Sequence, residues 1–423
     1  MSQFFNTDPR LEKISDEVRD GLRDVFAEID RTAEYNQHKM LSAFIRHGVS
    51  ESHLIASTGY GYGDRGRDTL DAVLADVLGA EDALIRHNFV SGTHALTVAL
   101  FGVLRPGDTV VSVSGAPYDT IHSVFGIRPG SGSLQEFGVQ YRQVDLTGEG
   151  RLDYEAIEHF LRSQKVAMVY LQRSRGYETR PSLFVGEIEQ VVRLVRRIQP
   201  DAVVMVDNCY GEFVDTIEPP NVGVDLIAGS LIKNPGGGIA PTGGYIAGRK
   251  ELVERCAYRL TTPGTGRELG ATLGHNRELY MGLFSAPHVV GEALKTAVYA
   301  AGLFERLGFS VTPASREKRT DIIQVVTLGA ADALVSFCRG MQSGAPVDAF
   351  VRPEPSDMPG YDDPVIMAAG AFTLGASIEL SADGPLRPPY CAWMQGGLNF
   401  HSGYMGVLLA AQSMLSDGSL SLL

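Results

Sequence analysis

The sequence predicts an α/β fold, a mainly parallel central sheet with helices on both faces, followed by a smaller C-terminal α+β domain. Three observations carry this. Continuous apolar runs at 109–114, 166–172 and 202–208 are too short for ordinary helices and read as strands buried on both faces. Between the last two lies "FVGEIEQVVRLVRRIQ" (184–199), whose apolar residues repeat at helical spacing. Strands alternating with helices imply parallel pairing through crossover helices.

Taken in order, residues 1–50 read as a polar helical arm suited to packing on another subunit. The large domain, 51–285, begins its sheet with "ALIRHNF" (83–89). "HALTVALFGVL" (94–104) follows as a helix ended by the turn Arg105-Pro106-Gly107-Asp108. "TVVSVS", "VAMVYLQ" and "AVVMVDN" supply the next strands, and "DLIAGSLI" (225–232) and "GGYIAGR" (243–249) bracket Lys233 as two more. A helix over 284–305 leaves this domain. The C-terminal domain, 286–423, is built from "DIIQVVTLG", "ADALVSFCRGMQ" and "VIMAAGAFTLGASIEL".

Composition narrows the function. The chain has 423 residues, 44% apolar and 21% charged, and a formal charge of −13, which opposes a phosphate-backbone partner. The one basic run, "RLVRRIQ" (193–199), is the charged face of a helix, so nucleic-acid binding is not expected. Cys209, Cys256, Cys338 and Cys391 are widely spaced. They form neither a zinc knuckle nor a disulfide framework, which fits a reducing cytoplasm. The amino terminus lacks a basic stretch followed by an apolar one, so no signal peptide is expected, and no run approaches ~18 apolar residues, so no membrane span is expected.

"GYGYGDRG" (59–66) contains the Gly-x-Gly-x-x-Gly spacing of dinucleotide sites, but only "LIA" precedes it, and Glu81 and Asp82 come before the next strand. The fingerprint needs a strand before the glycines and an acid after the following strand, so a nicotinamide site is rejected. H-E-x-x-H, G-x-S-x-G and Walker A patterns are absent, and no metal site is expected.

Asp207 closes one strand, and Lys233 follows the next within "GSLIKNPGGG" (229–238). Carboxyl ends of parallel strands face one ligand crevice, so an acid and an amine converge there. Pyridoxal 5'-phosphate requires such a pair, a lysine for its Schiff base and a carboxylate for its ring nitrogen. Ser91-Gly92-Thr93 at a strand-to-helix junction offers backbone N–H groups to a phosphate, and Ser230 adds a hydroxyl. Tyr118, after the next strand, is placed to stack on the ring. Burial and nearby cations are expected to lower the Lys233 pKa and make it a general base.

"SGTHAL", "SVSGAPYDT", "QRSRGYETRPS", "VDNCYGEF" and "GSLIKNPGGGIAPTGGYIAGR" resemble the methionine γ-lyase-like family known as aluminium-resistance proteins. That family is a branch of the fold-type-I, cystathionine-enzyme-like pyridoxal-phosphate proteins. The resemblance runs from "GYGYGDRGRDTL" to "QGGLNF". It implies Lys233 as the Schiff-base residue, Asp207 on the ring nitrogen and Tyr118 over the ring. It further implies that a neighbouring subunit lends Tyr62 and Arg67, preferred over Tyr60 and Arg65, to the cofactor phosphate. The active unit is then a homodimer, with a tetramer favoured.

A substrate carboxylate needs its own cation. Arg173, with Arg175 and Arg180 as rivals, is the candidate in the large domain, and Arg387 the candidate in the small one. The expected reaction is γ- or β-elimination on a substituted amino acid, by default carbon–sulfur cleavage of a methionine-, homocysteine- or cystathionine-like substrate, with Lys233 or Tyr118 as the acid. A non-sulfur leaving group such as halide is one alternative, and a catalytically idle binding or regulatory protein is another.

Overall fold

A computed structural model of the chain describes residues 4–358 and 363–422. They form two compact units: Asn36–Ser285, and the described residues up to Tyr35 together with those from Ala286 on.

The larger unit holds a seven-stranded sheet of order β1-β7-β6-β5-β4-β2-β3. Its strands are β1 (Asp82–Arg86), β2 (Thr109–Ser112), β3 (Gln140–Gln143), β4 (Met168–Gln172), β5 (Val203–Asp207), β6 (Leu226–Ser230) and β7 (Gly244–Gly248). β3, β2, β4, β5 and β6 pair in parallel, and β7 runs antiparallel between β6 and β1. The apolar runs mark the buried middle: every residue of β2, β4, β6 and β7 is buried, as in a sheet covered on each face. Helix Gly92–Val103 packs over β6 and β7, and its Ala95, Ala99 and Leu100 join Val110, Met168, Met205 and Ile246 in one core. Helix Val185–Ile198 connects β4 to β5 and buries Ile188, Val191, Val192 and Val195.

β3 has no counterpart among the expected strands. It is the sheet edge, its sequence "QYRQ" is mostly exposed, and it therefore lacks the apolar run that marks the others.

The smaller unit has a five-stranded antiparallel sheet of order β10-β11-β12-β9-β8, with β8 (Ser310–Thr312), β9 (Gln324–Thr327), β10 (Val365–Ala368), β11 (Ser381–Pro385) and β12 (Cys391–Gln395). Helices Ala331–Ser343 and Phe400–Ser416 supply its core with Leu334, Phe337, Leu408 and Met414. The expected N-terminal arm is two helices, Pro9–Gly21 and Arg23–Arg46. The first packs on its own chain. Leu11 is buried in the small-unit core, and Ser15 Oγ lies 2.7 Å from Tyr299 Oη. Asp30 accepts from Lys295 at 2.7 Å.

Candidate active site

The larger unit gathers its chemistry at the carboxyl ends of β4, β5 and β6. Gln172, Asp207 and Ala228 sit side by side in the ladder, so β4 and β5 end level with each other. Lys233 follows β6 by three residues, where the chain turns through Asn234–Gly236. Asn234 fixes that turn, its amide donating to the Glu212 carbonyl at 2.9 Å.

Asp207 is 6% exposed, and its Oδ1 accepts the Cys209 N–H at 3.1 Å. Burial pushes its carboxyl up, opposed chiefly by the charge of Lys233. For Lys233, desolvation alone would depress the amine. The acids around it, Cys209, Tyr210, Asp207 and Glu212, outweigh that effect and hold it protonated. This reverses the expected lowering: its electrostatic neighbours are acids, whereas the sequence reading assumed cations. Lys233 Nζ lies 4.1 Å from the centre of the Tyr210 ring.

An anion cradle stands beside the pair. Ser91 caps helix Gly92–Val103, its Oγ accepting the His94 N–H at 3.1 Å. The first helical residue, Gly92, is pressed against β6. A Cβ there would sit 3.0 Å from Ser230 Cβ and 3.6 Å from Cys209 Sγ. Glycine thus brings the helix N-terminus, with its unsatisfied N–H groups, next to the Ser230 hydroxyl. Thr93 Oγ1 lies 3.0 Å from Thr120 Oγ1, near the start of the helix that follows Tyr118. Tyr118 is held from the sheet: its N–H donates to Gln172 Oε1 at 2.6 Å, and Gln172 is the ladder partner of Asp207.

A carboxylate, an amine, an aromatic ring and a helix N-terminus beside a serine are the donor set that pyridoxal phosphate needs, and the residues fit it. The buried Asp207 has an incomplete counter-charge, which a protonated ring nitrogen would complete.

Two expected site residues are buried among partners of their own chain. Arg173 is fully buried and faces the interior. Its Nη1 donates to Asn208 Oδ1 at 2.9 Å and lies 3.5 Å from Glu218 Oε2, and a Cβ on Gly211 would strike it at 2.5 Å. This guanidinium neutralises a buried glutamate, whereas a substrate carboxylate was expected as its partner. Its rivals are buried too. Arg180 donates to the Gln172 and Ser174 carbonyls, and Arg175 lies against Ser182. Arg67 is 2% exposed and donates to the Gly61 and Gly270 carbonyls and to Asp68. It braces its own loop, leaving Tyr60, Tyr62 and Arg65 as the exposed side chains there. Arg387, in the smaller unit, is half exposed and lies 3.1 Å from Asp363.

The sequence reading missed Tyr210 and Glu212. Both lie within "VDNCYGEF", a stretch already singled out, but no spacing rule marks a tyrosine or glutamate there. Glu212 is fully buried, accepts from Tyr245 Oη at 2.7 Å, and is pushed up to about 8 by desolvation. Among the described residues no cluster of side chains could hold a metal ion, and no helix is long and apolar enough to cross a membrane.

A family model described as methionine gamma-lyase matches residues 11–415. YnbB of Bacillus subtilis (strain 168), an uncharacterized protein, is 48% identical over 407 residues, 96% of each chain. The crystal structure of a carbon-sulfur lyase involved in aluminum resistance from Clostridium novyi is 50% identical, covers 98% of both chains and superposes with a TM-score of 0.94. YhfS of Escherichia coli, a pyridoxal-5'-phosphate dependent protein, is 17% identical and shares the fold, with a TM-score of 0.63 over 92% of this chain and 97% of that one. The fold is that of the fold-type-I pyridoxal-phosphate enzymes, and the chain belongs to the methionine gamma-lyase family.

Proposed function

We propose that this protein is a pyridoxal-phosphate-dependent lyase that eliminates a β- or γ-substituent from an amino acid, with a sulfur leaving group in a methionine-, homocysteine- or cystathionine-like substrate. One observation carries the reading: the buried carboxylate of Asp207 ends β5, and the amine of Lys233 follows the adjacent β6 by three residues, beside the Gly92–Ser230 cradle.

When bound, the cofactor supplies an electron sink that makes the substrate Cα–H bond acidic. Lys233 Nζ would hold it covalently, Asp207 would face its ring nitrogen, and Tyr118 would cover its ring. The N–H groups of Gly92 and Thr93, with Ser230 Oγ, would bind its phosphate. A cation at the ring nitrogen would take over Asp207 as a counter-ion, so filling the site lowers the proton affinity of Lys233. Lys233 Nζ, its proton affinity so lowered, would take the Cα proton. Lys233 Nζ as ammonium, or Tyr118 Oη, returns a proton to the departing group.

The active unit is a homo-oligomer, in which exposed Ile55, Tyr60, Tyr62 and Leu273 of the larger unit are covered by a second copy, with Tyr62 reaching the partner's phosphate site. The four buried thiols suit a reducing cytoplasm. The test is keto-acid release from a panel containing methionine, homocysteine, cystathionine and γ-halo and O-acyl analogues. Release from the sulfur compounds with loss of thiol is expected. Release only from the halo or acyl compounds would overturn the sulfur assignment, and release from none by the cofactor-loaded protein would overturn the lyase reading.

A further inference from the structure

Beneath Lys233 lies a loop in an unusual conformation. Tyr210 and Phe213 both have positive φ, 70° and 61°, a left-handed region that aromatic residues rarely adopt. Four contacts hold the loop there. The Gly211 N–H donates to the Asn208 carbonyl at 2.9 Å, and the Phe213 N–H to Glu218 Oε1 at 2.7 Å. Arg173 binds the Asn208 side chain, and Asn234, next to Lys233, binds the Glu212 carbonyl. Strain of this kind persists only where the surroundings over-determine it, and it points to a task for the residue that bears it.

The consequence of the strain is visible: it puts the Tyr210 ring 4.1 Å from Lys233 Nζ, within cation–π range. We propose that Tyr210 is the positioning residue for Lys233. Its ring is the seat of the ammonium whenever that amine is not bound to the cofactor. During turnover the lysine must be detached and still stay beside the reacting carbon, and a half-buried ring face gives it a fixed resting point among the acids that surround it. The proposal rests on the function assigned above to Lys233.

The test is competitive acetylation, from pH 7 to 10, of the full chain stripped of cofactor by hydroxylamine, with exposed Lys13 and Lys318 as internal standards. Tyr210→Asn and Tyr210→Gly tolerate positive φ and lack the ring. Both are expected to make Lys233 roughly three to thirty times more reactive at fixed pH, with no fall in melting temperature. Tyr210→Phe keeps the ring and should stay within about twofold of the parent. Lys233 reactivity that is unchanged or lower in both ring-less variants, or a Phe variant that moves as far as they do, would overturn the proposal. Failure of the parent chain to take up pyridoxal phosphate would overturn the function proposed above. The acetylation comparison would still report on Tyr210, because it is made without cofactor.

Discussion

Gly92→Ala separates cofactor binding from folding. Gly92 is the first residue of a right-handed helix and has no positive φ to protect. Alanine there gains up to about 1 kcal/mol of helix preference. Against this, the new methyl would stand 3.0 Å from Ser230 Cβ, closer than ordinary carbon–carbon contact, so the helix start or β6 must give by a few tenths of an ångström. The two effects oppose each other, and the melting temperature should move by no more than about 3 °C. Phosphate binding has no such offset. A shift at the cradle that breaks one N–H···phosphate bond removes about 1.5–3 kcal/mol, which weakens pyridoxal phosphate roughly 10- to 150-fold. The assay is an absorbance titration of cofactor-free protein, with circular dichroism as the folding control. Ser230→Gly in the same chain removes the clash but also the hydroxyl assigned to the phosphate, so the double variant should bind about as well as Ser230→Gly alone, a non-additive pair of the kind expected for touching residues. Parent-like affinity in a folded Gly92→Ala chain would refute the cradle.

Other predictions concern the buried network. The Glu212 carboxyl is raised from 4.5 to about 8, so its contribution to stability is complete below pH 4.5, falls between there and about pH 8, and is flat beyond. Glu212→Gln should therefore gain stability over the parent as pH rises from 5 to 8, by a few kcal/mol at most, read as a widening difference in melting temperature. A constant difference would contradict the assignment. Arg173→Met should destabilise the fold by about 3 kcal/mol or more, because Glu218 loses a buried counter-charge. A stable variant with raised KM would instead restore Arg173 as a substrate ligand. Asp207→Asn should retain the fold but slow turnover at least about 100-fold, since a neutral amide cannot keep the ring nitrogen protonated. Kinetics with a saturating substrate measures it.

How much of this was legible in the sequence follows from where each signal lies. β4, β5 and β6 are buried on both faces, so their apolar runs announce them, and residues at their ends inherit a place at the crevice. Asp207 and Lys233 needed nothing more. β3 is a polar edge strand and announces nothing. The fate of Arg173 depends on Asn208 and Glu218, which lie 35 and 45 residues further along, so the three arginines of "QRSRGYETRP" cannot be told apart locally. The burial of Arg67 is hidden from the local sequence for the same reason, since one of its carbonyl partners belongs to Gly270. Positive φ at Tyr210 and Phe213 leaves no mark at all, because glycine or asparagine would ordinarily stand there.

The most direct measurement is borohydride reduction of the cofactor-loaded protein followed by peptide mapping. The account predicts one reduced pyridoxyl group per chain, on Lys233 alone, and neither label nor turnover in Lys233→Ala. A label on any other lysine, or normal turnover in that variant, would contradict it.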